Sequence, residues 1–336
     1  MTGAAQPNGR IVINATMLGS VGVGKTSLLA AMYERFGHVV GNVDLDIRPE
    51  SETSRTLGAS VAVLQRIATM NSIRVHVGME GTGSVRRYRF DIGGKGWPAA
   101  FTLQLTDYPG RFMLPAAYAD HDVVEQILVD SDVVLVAIDA AAMMEQDGAF
   151  HNVTNTPLVV LDEIKRMLAA SPEPRLIILT LLKCETYLAT PDGTDRLVKK
   201  AIEKYRPLLD HIRGTDVRGR VGCVLTSVQT IGSIRLLRVH PDEKGEADFE
   251  YRSLGYQGGY KPIDTDQPLR YLLRFAINKY RYEERSRFAA IRDLITGVNS
   301  RLAAAVDEFA LGCKTTDGFE VLQDHPLLYS SRHGSR

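Results

Sequence analysis

Short apolar runs punctuate the chain and alternate with stretches of helical period. Ile11–Leu18 reads IVINATML and is followed by the helical Ser27–Phe36. Asp132–Ile138, Arg175–Thr180 and Val221–Thr226 are almost unbroken apolar runs, the signature of central strands buried on both faces. Val85–Ile92 and Phe101–Thr106 are β-rich and joined by the turn-rich GGKGWPA, which predicts an antiparallel hairpin. Helices are expected near 158–170, 194–212 and 269–280. The pattern predicts an α/β fold: a six-stranded, mostly parallel sheet with one antiparallel hairpin strand and helices on both faces.

Two stretches exceed what such a core needs. Residues 44–83 separate the first helix from the hairpin and contain a predicted helix at 52–70; 231–264 is rich in Gly, Tyr and charge. Loops of this length in a compact domain are usually functional or disordered. After Tyr280 the residues Phe288, Ile291, Ile295, Val298, Leu302, Ala305 and Phe309 recur three and four apart, the seam spacing of a packed helix. That stripe either covers the chain's own core or receives a partner helix. The expected organisation is a domain over 1–282 with insertions at 44–83 and 231–264, an amphipathic helix over 283–312, and a loosely held tail over 313–336.

Composition narrows the function classes. The 336 residues carry 40 Lys+Arg against 40 Asp+Glu, which leaves no basic field for nucleic acid or an anionic membrane. Apolar runs are too short for a membrane span, and the first residues lack a signal-peptide pattern. Three widely spaced cysteines predict neither a disulfide framework nor a zinc ribbon, and a cytoplasmic setting is expected.

The strongest chemical signal is Gly19-Ser20-Val21-Gly22-Val23-Gly24-Lys25-Thr26, a complete GxxxxGK[ST] between a strand and a helix, with Ser27 opening the helix. Glycines let backbone N–H groups face a phosphate, and the helix N-terminus adds its dipole. Lys25 supplies charge to the β and γ oxygens; Thr26 offers a hydroxyl to Mg²⁺. Leu103–Asp107 then delivers an acid at a strand end, followed by Tyr108, Pro109 and Gly110. Asp107 is suited to a metal-bound water, and Gly110 can give its N–H to a γ-phosphate.

Gly19–Leu29 resembles the first motif of the Ras-like branch of P-loop GTPases, and Asp107–Gly110 is similar to their switch II motif. The resemblance implies GTP and GDP as ligands, Mg²⁺ held through Thr26 and Asp107, and slow turnover tuned by a regulatory or effector protein at the switch region. It also implies base recognition by Lys183 and Glu185, in the stretch Leu182-Lys183-Cys184-Glu185 where such GTPases carry [NT]KxD, and by the loop at Ser227 and Val228. Glu185 is a longer carboxylate than the family's Asp, and Leu182 lacks the amide or hydroxyl. A surface Lys and Glu at a strand end is the alternative. Arg111 stands where many relatives carry a water-orienting Gln; it is either a catalytic contact to the γ-phosphate or a solvated residue. Val21 fills a slot that is Gly in Ras itself. The switch I threonine has candidates in Thr53, Thr56, Thr69 and Thr82, with Thr82 preferred. The insertions and the segment Lys261–Leu269 resemble the bacterial double-GTPase family. A pseudo-GTPase scaffold that holds nucleotide without appreciable turnover is the competing expectation, and an ATP-dependent kinase is disfavoured by the switch-like Asp107-Tyr-Pro-Gly.

Overall fold

The computed structural model describes residues 11–40, 43–76, 84–110, 121–241, 247–254, 259–287 and 304–329. Its main sheet has eight strands in the order β11-β8-β7-β6-β1-β5-β4-β2. These are β1 (Ile11–Leu18), β2 (Asp46–Pro49), β4 (Arg86–Gly93), β5 (Phe101–Asp107), β6 (Val133–Asp139), β7 (Arg175–Leu182), β8 (Val221–Ser227) and β11 (Glu320–Gln323). The five strands β5, β1, β6, β7 and β8 run parallel, and β4 pairs antiparallel with β5 as the hairpin pattern predicts. In β6, β7 and β8 every residue is buried, which is why these segments read as continuous apolar runs rather than alternating ones.

Six strands were expected and eight are present. The additional two lie at the edges, where a strand needs only one partner and one apolar face. β2 comes from the first insertion and pairs antiparallel with β4; β11 comes from the stretch expected to be a loose tail and pairs antiparallel with β8. Far from being loose, that stretch also lays His325 and Leu328 against Gly222 of β8.

The helices are α1 (Lys25–Val40), α2 (Ser51–Ala68), α3 (His121–Val129), α4 (Ala140–Met144), α5 (His151–Asn155), α6 (Pro157–Ala170), α7 (Pro191–Lys204), α8 (Arg206–Ile212), α9 (Gln267–Arg287) and α10 (304–311). The helix expected over 194–212 is two, α7 and α8, because Pro207 has no N–H to continue the ladder and sits in the first turn of the second. One face of the sheet is covered by α1, α9 and α10, through Leu28, Leu29, Met32, Leu272, Phe275, Val306 and Phe309. The other is covered by α3, α4, α6, α7 and α8, through Leu128, Met143, Ile164, Leu197 and Leu209.

The helical stripe is described at its C-terminal end only. α9 runs without a break across 282–283, where the core helix and the following helix were expected to part. Phe288, Ile291, Ile295, Val298 and Leu302 lie outside the described residues. Ala305 and Phe309 are buried in the chain's own core beside α9, and the Arg270 guanidinium lies 4.3 Å from the Phe309 ring centroid and donates to the Phe309 carbonyl. At this end the seam is intramolecular.

The two insertions meet each other. β3 (Ser72–His76) from the first, with β9 (Ile234–Pro241) and β10 (Ala247–Ser253) from the second, form a separate antiparallel sheet in the order β3-β10-β9. Its inward residues Ile73, Phe249, Tyr251, Ile234 and Leu236 pack with Ala30 and Ala31 of α1, Leu64 and Ala68 of α2, and Ala141 and Ala142 of α4. Because α1 and α4 lie on opposite faces of the main sheet and follow β1 and β6, this small sheet straddles the carboxyl edge of the central strands. Among the described residues no helix is long and apolar enough to cross a membrane.

Candidate functional site

In an open parallel sheet, ligands bind beyond the carboxyl ends of the strands. β1 delivers the glycine-rich loop there, and β5 delivers Asp107, in register with Met17 of β1. Gly19, Gly22 and Gly24 take φ of 152°, 78° and 110°, conformations that a side chain at these turns would strain. Val23 is buried in the core beneath the loop and anchors it, whereas Gly22 is exposed.

Lys25, the first residue of α1, folds back over the loop and donates from Nζ to the carbonyls of Gly19 at 2.6 Å and Ser20 at 3.0 Å. Only 7% of it is exposed. Burial lowers its pKa to about 8, partly opposed by the Asp107 carboxylate, so the site strains to keep a cation and favours an incoming anion. Thr26 donates from Oγ1 to Asp107 Oδ2 at 2.8 Å. A hydroxyl and a carboxylate thus sit side by side, both hard oxygen donors, next to the charged amine. That pair suits Mg²⁺, which takes one or two protein oxygens and keeps the rest of its shell as water and phosphate.

Gly110 lies directly on the loop: a Cβ added there would stand 2.3 Å from Val21 N and 2.4 Å from Ser20 C. Only a glycine permits this contact, which explains the residue type at the end of Asp107-Tyr-Pro-Gly. Tyr108 is fully buried within the same strap, and burial pushes its hydroxyl well above the usual range. Ser20 meets Thr156 hydroxyl to hydroxyl at 2.8 Å, so the α5–α6 junction braces the loop from the other side.

Lys183, directly after β7, takes a left-handed φ of 55° and aims Nζ at the Gly22 carbonyl, 2.8 Å, and at Asp139 Oδ2, 2.5 Å. The Asp139 side chain is 1% exposed, and its other oxygen caps α4 by accepting from Ala142 N at 3.0 Å. Asn155 holds the same backbone, accepting from Asp139 N and donating to Asp139 O, with His151 behind it. The Lys183 stem is thereby fixed beside the P-loop, where a flat ring can stack on it.

Glu185 is buried beneath the second insertion. Its Oε1 faces the N–H groups of Ile231 and Gly232 at 3.4 and 3.5 Å, long contacts, and Oε2 has no hydrogen-bond partner among the described residues. Burial raises its pKa, with its own backbone N–H and those of Ile231 and Gly232 pulling the other way. Glu185 is thus buried, while Lys183 is partly exposed with its ammonium held on the P-loop and Asp139.

Ser227 and Val228 each spend a polar group on the chain itself. Ser227 donates its hydroxyl to Gly318 O at 2.7 Å, and Val228 gives its N–H to Leu181 O at 2.9 Å, extending the pairing of β7 with β8. The turn at Gly318 takes the Ser227 hydroxyl, and the β7–β8 pairing takes the Val228 N–H. Among the threonines, Thr53 is buried and accepts from Arg89 N, Thr69 donates to its own helix, and Thr56 lies on α2, all structural placements. Thr82 and Arg111 lie outside the described residues. Asp139, Thr156 and Asn155 are the partners that sequence inspection missed. Asp139 ends an apolar run, so its acid was the one available signal; the others required the tertiary fold.

No curated protein matches the chain. A solved structure, the signal recognition particle receptor SRb-GTP/SRX complex from Chaetomium thermophilum, is similar with 13% identity and a TM-score of 0.35, over 66% of this chain and 91% of that one. The Double-GTPase 2 family matches residues 14–222, which takes in the P-loop, Asp107 with Gly110, and the Lys183–Glu185 stretch. The match spans more than half of the chain, which therefore belongs to the Double-GTPase 2 family of P-loop GTPases.

Proposed function

We propose that the protein is a GTP-binding switch that hydrolyses GTP slowly with Mg²⁺ in a cytoplasmic setting and depends on a protein partner at the segment 111–122 for rapid turnover. The observation that carries this is the convergence of Lys25, Thr26 and Asp107 beneath a glycine strap that touches the P-loop. Lys25 would leave the Gly19 and Ser20 carbonyls for the β and γ oxygens, where its charge is most needed as phosphoryl transfer proceeds. Thr26 and Asp107 would hold Mg²⁺, directly and through water, and the ion would neutralise the phosphate oxygens. Gly110 would direct its N–H at the γ-phosphate, making the strap report its presence. Lys183 and Glu185 would take the base, the first by its stem, the second by accepting from N1 and the exocyclic amine.

Charge is well supplied here; orientation of the attacking water is not. The sequence places Arg111 after Gly110, and a guanidinium has donors only. Poor water positioning supports retained binding with weak chemistry, and in the limit the scaffold alternative in which nucleotide is held without appreciable turnover. Calorimetry with GTP and ATP, with and without Mg²⁺, followed by single-turnover hydrolysis, tests the proposal. GTP should bind more tightly, in a Mg²⁺-dependent way, and turn over on the order of 10⁻³ per second or slower without a partner. Equal affinity for ATP, or a rate of about 1 per second from the isolated protein, would refute it.

A further inference from the structure

The small sheet made by the two insertions lies where the base of a nucleotide would be enclosed. It crosses the carboxyl edge of the main sheet from α1 to α4. It is tied to the base-reading stretch at two consecutive residues: Glu185 faces the N–H groups of Ile231 and Gly232, and Thr186 Oγ1 accepts from Leu236 N at 2.7 Å. β10 then turns Tyr251 inward. Tyr251 is 2% exposed, and its hydroxyl has no hydrogen-bond partner among the described residues. Tyr251 stands opposite Leu236 across the β9–β10 pair, and Leu236 gives its N–H to Thr186 next to Glu185; burial first, and then the charges of Asp139, Tyr187, Glu185 and Glu145, push the phenol up.

Two buried polar groups are therefore left unmatched in one neighbourhood, the Tyr251 hydroxyl and Glu185 Oε2. Buried polar atoms are nearly always paired, and each exception calls for a water, an ion, a ligand or a functional role to account for it. Their chemistry is complementary to guanine. A carboxylate supplies acceptors for N1–H and the 2-amino group, which leaves O6 in need of a donor. The backbone N–H expected to serve O6, that of Val228, is committed to Leu181. One unmatched donor on the inward face of the small sheet is the Tyr251 hydroxyl, and burial among acidic neighbours keeps it protonated and able to donate.

We propose that Tyr251, carried over the site by the inserted sheet, is a specificity-determining residue that donates its hydroxyl to guanine O6 beside the Glu185 carboxylate. The inference rests on the GTP-binding reading above. It assigns the insertions a direct part in nucleoside recognition, so that the base is enclosed by two widely separated segments of the chain rather than by the core motifs alone.

The test compares GDP with 6-thio-GDP, which keeps the N1–H and 2-amino donors and replaces O6 with a weak acceptor, in the full chain and in Tyr251→Phe. The parent should prefer GDP several-fold; Tyr251→Phe should lose roughly 3- to 10-fold in GDP affinity and bind the two ligands alike. Nucleotide-free Tyr251→Phe should melt at or above the parent, because the hydroxyl it loses has no partner there. A parent that binds GDP but is indifferent to the thio substitution overturns the inference and leaves the functional reading standing. So does a Tyr251→Phe protein that keeps the parent's preference. A parent that binds no guanine nucleotide overturns both.

Discussion

Replacing Lys25 with methionine will make the nucleotide-free protein more stable at pH 7 while ending its capacity to bind nucleotide. The ammonium is held at a pKa of about 8 against an ordinary 10.5, the result of burial partly opposed by Asp107. That gap corresponds to about 3 kcal/mol of unfavourable free energy for keeping the group charged in the folded state. Methionine matches the stem in size and carries no charge, but it deprives the Gly19 and Ser20 carbonyls of a donor. Taking that loss as about 1 to 2 kcal/mol leaves a net gain of about 1 to 2 kcal/mol. Urea denaturation of the nucleotide-free protein at pH 7 reads this directly, provided the slope with urea is unchanged. The pH dependence separates the cause from a packing effect. Between about 8 and 10.5 the unfolded chain retains a proton on Lys25 that the folded chain has released, so the parent gains stability as pH rises through that window. The Lys25→Met protein should lack this gain. A substitution that destabilises the nucleotide-free protein at pH 7, with the alkaline rise intact, would show that the buried charge is not under strain.

Asp139→Asn keeps an oxygen to cap α4 but leaves the Lys183 ammonium, 15% exposed, without its counter-charge. Stability should fall by about 2 to 3 kcal/mol in thermal or urea unfolding, and GDP affinity should fall with it because the stacking stem loses its anchor. Phe309→Ala removes a ring that is 1% exposed and stacked under Arg270, and should cost about 3 kcal/mol; an unchanged melting temperature would mean that the end of the helical seam contributes nothing to the core.

The central strands and the P-loop were legible because burial on both faces and the phosphate cradle each impose a local sequence pattern. Ile11–Leu18, the GxxxxGKT loop and the strand ending in Asp107 all sit where their spelling places them. Strands at sheet edges impose much less. Asp46–Pro49 and Glu320–Gln323 are four residues each with mixed polarity, and nothing local distinguishes them from loop. β10 does alternate, with Phe249 and Tyr251 inward, but its partner β3 belongs to a different insertion, so a pairing across the chain had to be known before the strand made sense. Residue type drew attention to Lys183, whereas its counter-ion Asp139 was hidden at the end of a run whose apolar neighbours explained it by burial. For Ser227 and Val228 the local pattern gave no sign of the chain's own claims on their hydrogen bonds, the strand pairing and the turn near Gly318, remote in sequence.

The pairing of the two insertions also constrains how the chain is made. Ser72 and its partner Glu250 are 178 positions apart. At about 5 to 20 residues per second, a ribosome needs on the order of ten seconds or more to emit the second after the first. Throughout that interval the nascent β3 has no β10 to pair with, and Leu64 and Ala68 of α2 lack the Phe249 and Tyr251 surface that covers them. The P-loop and its first helix are complete long before this, so the emerging chain passes through a stage in which the P-loop exists while the apolar faces of α1 and α2 that the small sheet covers are still open.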